Sequence, residues 1–209
     1  ITHNVHAKLE DRISREELQE KIRRASKIGR PLRIGYAGRA TAMKAPIDWL
    51  RVLLRLRESD VPFEATWLGD GELLSEMRSF VAQHALDSQV SLPGFVSDHQ
   101  FVFSFLRSCD ILLFTHITPE SPRIILEAMV SGTPAVGYAN SFVADVAGPV
   151  GRHLLTPIGD VVQLAEMVTS LALNRETLVE SISSAARVGE HYNDAAVFHH
   201  RSELIKQYL

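Results

Sequence analysis

Residues 120–138 read ESPRIILEAMVSGTPAVGY. Glu120 stands just before a Ser-Pro pair that can begin a helix, and a second carboxylate, Glu127, follows seven residues later among apolar side chains. A Ser-Gly-Thr-Pro turn then leads into the strand-like residues 135–138. A carboxylate in apolar surroundings needs a hydrogen-bond donor, and the N-terminus of a helix attracts anions. The stretch therefore predicts a pocket that holds hydroxyls and phosphates together, the two groups that a nucleotide sugar combines.

The composition limits the classes of protein that the chain can represent. With 209 residues, 45% of them apolar, it allows one large globular domain, or one domain with an appended segment. The formal charge of -3 does not favour nucleic acid as a partner. Cys109 is the only cysteine, so no intrachain disulfide can form. Because we find neither a transmembrane run of about 18 apolar residues nor a signal peptide, we expect a cytoplasmic location, or the inner face of the membrane.

Strand-like and helical stretches alternate along the chain, which predicts an α/β fold. Such alternation is typical of a Rossmann-like, doubly wound parallel sheet with helices on both faces. We expect residues 1–30 to form an interdomain linker and helix, and residues 31–209 to form the Rossmann-like domain with C-terminal helices. Strands are predicted at residues 32–37, 63–68, 90–92, 111–115, 135–138 and 153–155. Helices are predicted at residues 14–27, 46–58, 71–85, 98–107, 122–130, 160–173, 175–188 and 195–208.

The first helix, residues 14–27, has a clear start signal and a mixed charge. Ser14 can cap it, and Glu17 can complete a capping box. Its basic residues, Lys21 among them, alternate with glutamates. We interpret them as a solvent-exposed face.

The loop after the first strand carries two cations. Ligands of such folds bind beyond the carboxyl ends of the strands. Gly38 permits a tight exit from the strand, and Arg39 and Lys44 flank the loop, so that both can converge on a diphosphate. The pattern is not a P-loop. Spacing alone leaves the alternative of two solvated surface cations equally open.

The helix that opens at Ser121-Pro122 is a second candidate for binding phosphate. Pro122 suits the first helical position, and Ser121 suits the N-cap. The free amides of Arg123 and Ile124 would then point at the loop with the positive end of the helix dipole behind them, and Arg123 adds a side-chain donor. The alternative is a simple capped helix whose N-terminus is favoured by Glu120.

The two carboxylates complete the candidate site. Glu127 needs a donor, which ribose hydroxyls, backbone N–H groups or an arginine can supply, and we favour the ligand. Glu120 can reach a sugar hydroxyl, although a lone loop glutamate is more often solvated. We interpret Gly69-Asp70-Gly71 chiefly as a turn. It is not the three-glycine dinucleotide fingerprint, and no spacing of histidines resembles a metal site.

From about residue 31 to its end, the chain resembles the C-terminal, donor-binding domain of retaining GT-B glycosyltransferases (family 4, glycosyl transferases group 1). In that family the first loop's arginine and lysine hold the donor diphosphate, and they correspond to Arg39 and Lys44. The family's two glutamates contact the transferred sugar and the ribose, and they correspond to Glu120 and Glu127. The resemblance rests on the successive motifs IGYAGRATAMK, WLGDGELLSEM, VSLPGFVSD, CDILLFTH and PESPRIILEAMVSGTPAVGY.

The resemblance also implies other donor contacts and includes departures from the family's pattern. Backbone near Gly94, Phe95 and Val96 is expected to contact the base. Six residues separate the two glutamates, where the family usually has seven. Ser121-Pro122 replaces the small glycine that often follows the first glutamate, and Ala45 stands where a glycine usually follows the lysine.

The family's activity is the transfer of a hexose-type sugar from an NDP-sugar, here with UDP or GDP, to an acceptor hydroxyl. The acceptor would be a glycan, a lipid-linked molecule or another hydroxyl compound, as in polysaccharide biosynthesis. No bound metal is expected, since Arg39 and Lys44 would neutralise the leaving group. The acceptor domain, and any membrane contact, would belong to a missing N-terminal half, so these 209 residues alone should transfer nothing. A nucleotide-sugar epimerase of the same fold and a non-catalytic nucleotide-binding module remain the alternatives.

Overall fold

The structure, a computed structural model, describes residues 7–118, 122–139, 142–146, 154–192 and 206. Six strands are described: β1 (Leu32–Ala37), β2 (Phe63–Leu68), β3 (Val90–Gly94), β4 (Ile111–Phe114), β5 (Ala135–Tyr138) and β6 (Leu155–Thr156). The main helices are α1 (Arg15–Ala25), α2 (Pro46–Glu58), α3 (Leu74–Gln83), α4 (His99–Ser108), α5 (Arg123–Val130), α6 (Val161–Leu173) and α7 (Arg175–Gly189).

The strands form one parallel sheet in the order β3-β2-β1-β4-β5-β6. Helices cover both faces: α2 packs against α3 and α6, while α5 packs against α4 and α7. The predicted doubly wound α/β fold is therefore confirmed. In this order β2 and β3 lie on one side of β1, whereas β4, β5 and β6 lie on the other. The crevice beyond the carboxyl ends of β1 and β4, where the strand order switches, is the expected ligand site.

The core joins α2 to the sheet directly beneath that edge. Trp49 of α2 and Trp67 of β2 are both fully buried, and their ring centroids lie 5.5 Å apart in an edge-to-face arrangement. Every residue of β4 and β5 is buried as well. Because such aromatic pairs and fully buried strands resist rearrangement, the loops at the carboxyl edge rest on a rigid support.

Several predicted boundaries differ from the observed ones by one to three residues, and others fall outside the described residues. The helix predicted from residue 71 begins at Leu74, because the backbone N–H of Leu73 donates to the carbonyl of Ala40, 3.0 Å away in the preceding loop. The sixth strand ends at Thr156, and residue 153 lies outside the described part of the chain. The helix predicted at residues 195–208 also lies outside it, apart from Lys206, which is helical.

The start of α1 follows the prediction, but the interpretation of its charged face was wrong at Lys21. Ser14 and Glu17 form the capping box through bonds of 2.8 and 3.1 Å. Lys21 is only 1% exposed, and its ammonium donates to the carbonyl of Ser131 and to the hydroxyl of Thr133. Since helix C-termini carry partial negative charge, the ends of α4 and α5 attract this cation into the interior.

Candidate active site

A cavity of about 860 Å³ opens at the carboxyl edge of the sheet. The ends of β1 and β2, the loops that follow β1, β2 and β3, and the first turns of α5 form its wall. Its volume is in the usual range for small-molecule sites. The structure brings eight of the predicted site residues together in this wall: Gly38, Arg39, Lys44, Phe95, Val96, Arg123, Ile124 and Glu127.

Three predicted site residues do not belong to the described wall. Glu120 and Ser121 lie outside the described residues, so their predicted contacts with a ligand stay predictions. The N-cap role predicted for Ser121 was wrong, because Pro122 is the N-cap residue of α5. Gly94, which precedes Phe95 in the sequence, is buried, and its carbonyl accepts a hydrogen bond of 2.8 Å from the amide of Gly69. Gly94 therefore ties the end of β3 to the loop after β2.

The loops after β1 and β2 meet backbone to backbone. The amide of Ala40 donates to the carbonyl of Asp70 over 2.9 Å, and the indole of Trp67 donates to the carbonyl of Gly38 over 3.0 Å. A Cβ on Gly69 would lie 1.9 Å from that same Gly38 oxygen. Gly69-Asp70-Gly71 is thus the turn that the sequence predicted, and it also lines the cavity.

The two cations of the first loop differ in their surroundings. Arg39 is exposed, whereas Lys44 is half-buried at the end of a short 3-10 helix, Ala42–Lys44. Ala45 ends that helix in the left-handed conformation, with φ of 42°. An alanine adopts this conformation only when its neighbours stabilise it, so the backbone next to Lys44 is held by specific contacts.

The start of α5 lies one residue later than predicted. Pro122 was expected at the first helical position, but its ψ of 115° is extended, which makes it the N-cap residue and makes Arg123 the first residue of the helix. The carbonyl of Pro122 accepts from the amide of Ile125 over 3.1 Å. The amides of Arg123 and Ile124 have no acceptor within the helix. Both residues line the cavity, so the helix N-terminus lies at its wall.

Glu127 occupies the second turn of α5. Within that helix every residue except Arg123 and Glu127 is buried, and these two line the cavity. The carboxylate is half-buried at the wall. It thus lines the same cavity as Lys44.

Beneath the wall lies a buried polar pair that the sequence analysis missed. The hydroxyl of Tyr36 is 2.6 Å from Nε2 of His116, and both residues are at most 1% exposed. Burial, together with the nearby charge of Lys44, lowers the pKa of His116 to about 3. The imidazole is therefore neutral near pH 7. The two residues are 80 positions apart, so only the fold could reveal the pair.

Two features are absent from the described residues. Among them, no group of three or more histidines, cysteines, aspartates or glutamates is placed to hold a metal ion. In the same part of the chain, no helix is both long and apolar enough to cross a membrane.

A doubly wound parallel sheet with its cavity beside the β1–β4 switch point defines an α/β ligand-binding domain of the Rossmann-like class. The sequence profile of one family of that class, Glycosyl transferases group 1, matches residues 18–188. The chain therefore belongs to the Glycosyl transferases group 1 family.

Curated relatives agree with this assignment. The 2-deoxystreptamine N-acetyl-D-glucosaminyltransferase of Streptomyces fradiae is 30% identical over 197 residues, which cover 90% of this chain and 46% of the relative. The amylovoran biosynthesis glycosyltransferase AmsK of Erwinia amylovora is 25% identical over 202 residues, which cover 93% of this chain and 49% of the relative. The chain thus spans about half the length of these relatives.

Solved structures share the fold. HepE from Anabaena, crystallised with UDP and glucose, superposes with a TM-score of 0.78 at 18% identity, over 98% of this chain and 56% of HepE. The C-terminal domain of a glycosyl transferase group 1 family protein from Francisella tularensis gives a TM-score of 0.70 at 18% identity, over 91% of this chain and 97% of that domain. The described fold is that of a GT-B glycosyltransferase domain.

Proposed function

We propose that the chain is the C-terminal, donor-binding half of a retaining glycosyltransferase. The whole enzyme moves a hexose-type sugar from an NDP-sugar to an acceptor hydroxyl and keeps the anomeric configuration. One observation carries the proposal: Arg39, Lys44, the N-terminus of α5 and the carboxylate of Glu127 share the wall of a single cavity. Cations and helix amides suit a diphosphate, and a carboxylate suits ribose hydroxyls.

The chemistry that this wall favours is departure of a nucleoside diphosphate. Negative charge grows on the diphosphate as the bond between the sugar and its oxygen breaks. Arg39, Lys44 and the amides that open α5 stabilise that charge in the transition state. Their combined charge does the work of a metal ion, so we propose that the reaction needs none. Glu120, which lies outside the described residues, would contact the sugar.

The relatives support this interpretation of the site and the proposal that the whole enzyme has a second half. The complex of HepE with UDP and glucose favours UDP as the nucleotide to test first. The Francisella domain, named as C-terminal, matches this chain over nearly its whole length. Since curated relatives are about twice as long, we propose that an N-terminal half supplies the acceptor site.

Calorimetry of this chain with UDP, GDP and their glucose and N-acetylglucosamine conjugates tests the proposal. One base should bind, and ligand at about 100 times its dissociation constant should raise the free energy of unfolding by about 2.7 kcal/mol. Lys44→Ala and Glu127→Ala should each weaken binding. Lys27→Ala, which removes an exposed lysine outside the cavity wall, should not. Binding in the presence of EDTA should be unchanged if no metal takes part.

Two results would count against the proposal. If no nucleotide binds to this chain or to a version with the N-terminal half, the cavity is not a donor site. If nucleotide binds with equal affinity to Lys44→Ala and Glu127→Ala, it occupies some other place. With the longer protein, NMR of the transferred sugar's anomeric proton would distinguish retention from inversion.

A further inference from the structure

Thr115 lies directly behind the loop that carries Lys44. It follows the last residue of β4 and is 0% exposed. Its hydroxyl oxygen is 2.8 Å from the carbonyl oxygen of Lys44 and 3.0 Å from that of Ala45. A threonine hydroxyl has one proton, so these two consecutive carbonyls share a single donor. Thr115 does not itself line the cavity.

The hydroxyl of Thr115 holds a stretch of backbone whose conformation is unfavourable by itself. Ala45 has φ of 42° and ψ of 57°, a conformation that raises the energy of a non-glycine residue by about 1–2 kcal/mol. The neighbouring amide of Ile117 donates to the carbonyl of Met43 over 3.0 Å. Residues 43–45 are therefore bound at two points to the segment that leaves β4, and the hydroxyl makes the bond nearest to Lys44.

This attachment places the backbone from which the Lys44 side chain extends. A lysine side chain is long and flexible, and it is placed only as well as its backbone is placed. Lys44 is the last residue of the 3-10 helix and precedes the left-handed Ala45, so a change in this backbone would move the point from which its side chain extends. A displacement of about 1 Å at a catalytic group can reduce rates by about a hundredfold.

We infer that Thr115 is a positioning residue for the donor diphosphate: its hydroxyl fixes the carbonyls of Lys44 and Ala45 and thereby aims the Lys44 ammonium into the cavity. The inference rests on the proposed function, because it presumes that Lys44 meets a phosphate. Removal of the Thr115 hydroxyl therefore lowers the affinity for nucleotide only because Lys44 is displaced.

A double-mutant cycle with UDP and GDP tests this path. Thr115→Val keeps the shape of the side chain and removes the hydroxyl, and we expect it to weaken binding about tenfold. In the Lys44→Ala background the same change should weaken binding by no more than about twofold, since the group that it positions is gone. Thr115→Ser, which restores the hydroxyl, should bind within about threefold of the wild type. Ligand-detected NMR covers the required range of affinities.

Thr156 offers a matched control. It is 1% exposed at the end of β6, and among the described residues its hydroxyl has no hydrogen-bond partner. Thr156→Val makes the same chemical change without removing a bond to the Lys44 loop, so its affinity for nucleotide should equal that of the wild type. Circular dichroism and thermal unfolding would establish that each variant is folded at the temperature of the titration.

The outcomes separate this inference from the proposed function. If Thr115→Val binds as the wild type does, or loses the same factor with and without Lys44, Thr115 does not act through Lys44 and the inference is overturned. If Glu127→Ala weakens binding but Lys44→Ala does not, the donor site stands and the inference fails. If the wild type binds neither nucleotide, either as this chain or with the N-terminal half, both fail together.

Discussion

The hydroxyl of Tyr36 and Nε2 of His116 lie 2.6 Å apart, in a pair that joins the end of β1 to the segment after β4. Tyr36 lines the cavity, while His116 lies behind it. The ring of Tyr36 also stacks on Trp67 with centroids 4.0 Å apart. Tyr36 is thus held from behind the cavity wall by a neutral imidazole and by the ring of Trp67.

This pair predicts a loss of stability in acid. Burial, aided by Lys44, lowers the pKa of His116 to about 3 in the folded protein, whereas an unfolded histidine titrates near 6.5. Between these values the unfolded chain binds the extra proton, so the free energy of unfolding falls as the pH drops from 6.5 toward 3. Urea unfolding at pH 8 and pH 4.5 should show a larger loss for the wild type than for His116→Gln. Equal losses would contradict the assignment.

The burial of Lys21 predicts how the stability of the protein changes at alkaline pH. Burial lowers its pKa to about 7 in the folded state, against about 10.4 for an unfolded lysine. Above pH 7 the unfolded chain holds the additional proton, so this group makes the protein more stable as the pH rises. Between pH 7 and pH 9 the wild type should gain free energy of unfolding relative to Lys21→Met. Lys27→Met, at an exposed position, should keep the pH dependence of the wild type.

Much of the fold was predictable because its signals are local. The bounds of β1, β2, β5 and α2 were predicted to the residue, since apolar runs there are flanked by glycine, proline or polar turns. The rule that ligands bind at the carboxyl edge then located the wall of the cavity. Long-range contacts decided what was missed: the burial of Lys21, the late start of α3, and the bonds from Thr115 and His116 to residues at least 70 positions away.

The backbone conformation of Ala45 predicts that glycine at this position stabilises the protein. Its left-handed φ of 42° is unfavourable for alanine and natural for glycine. Ala45→Gly should therefore raise the free energy of unfolding by about 0.5–1 kcal/mol, even after the larger entropy of the unfolded glycine chain is included. Ala82→Gly, at an exposed position within α3, makes the same exchange in a helix and should lower stability by a similar amount. Chemical denaturation of both variants checks the two signs.

The close approach of backbone at Gly69 predicts that alanine at this position destabilises the protein. A Cβ at this position would lie 1.9 Å from the carbonyl oxygen of Gly38, and backbone must move to make room for it. Gly159 also has a positive φ, but a Cβ there would meet no atom within 4 Å. Gly69→Ala should lower the free energy of unfolding by about 2 kcal/mol more than Gly159→Ala does. Similar losses in the two variants would mean that the φ angle, rather than the contact between the loops, requires glycine.

Arg39 and Lys44 should contribute differently to donor binding. Arg39 is exposed, so water and salt screen its attraction to a diphosphate, whereas half-buried Lys44 is screened less. Raising NaCl from about 0.1 M to about 1 M shortens the screening length from about 10 Å to about 3 Å. The affinity that UDP loses on Arg39→Ala should shrink over this range, while the loss on Lys44→Ala should persist. Titrations at the two salt concentrations decide the matter: equal salt dependence of both losses would place the two cations in equivalent surroundings when the ligand is bound.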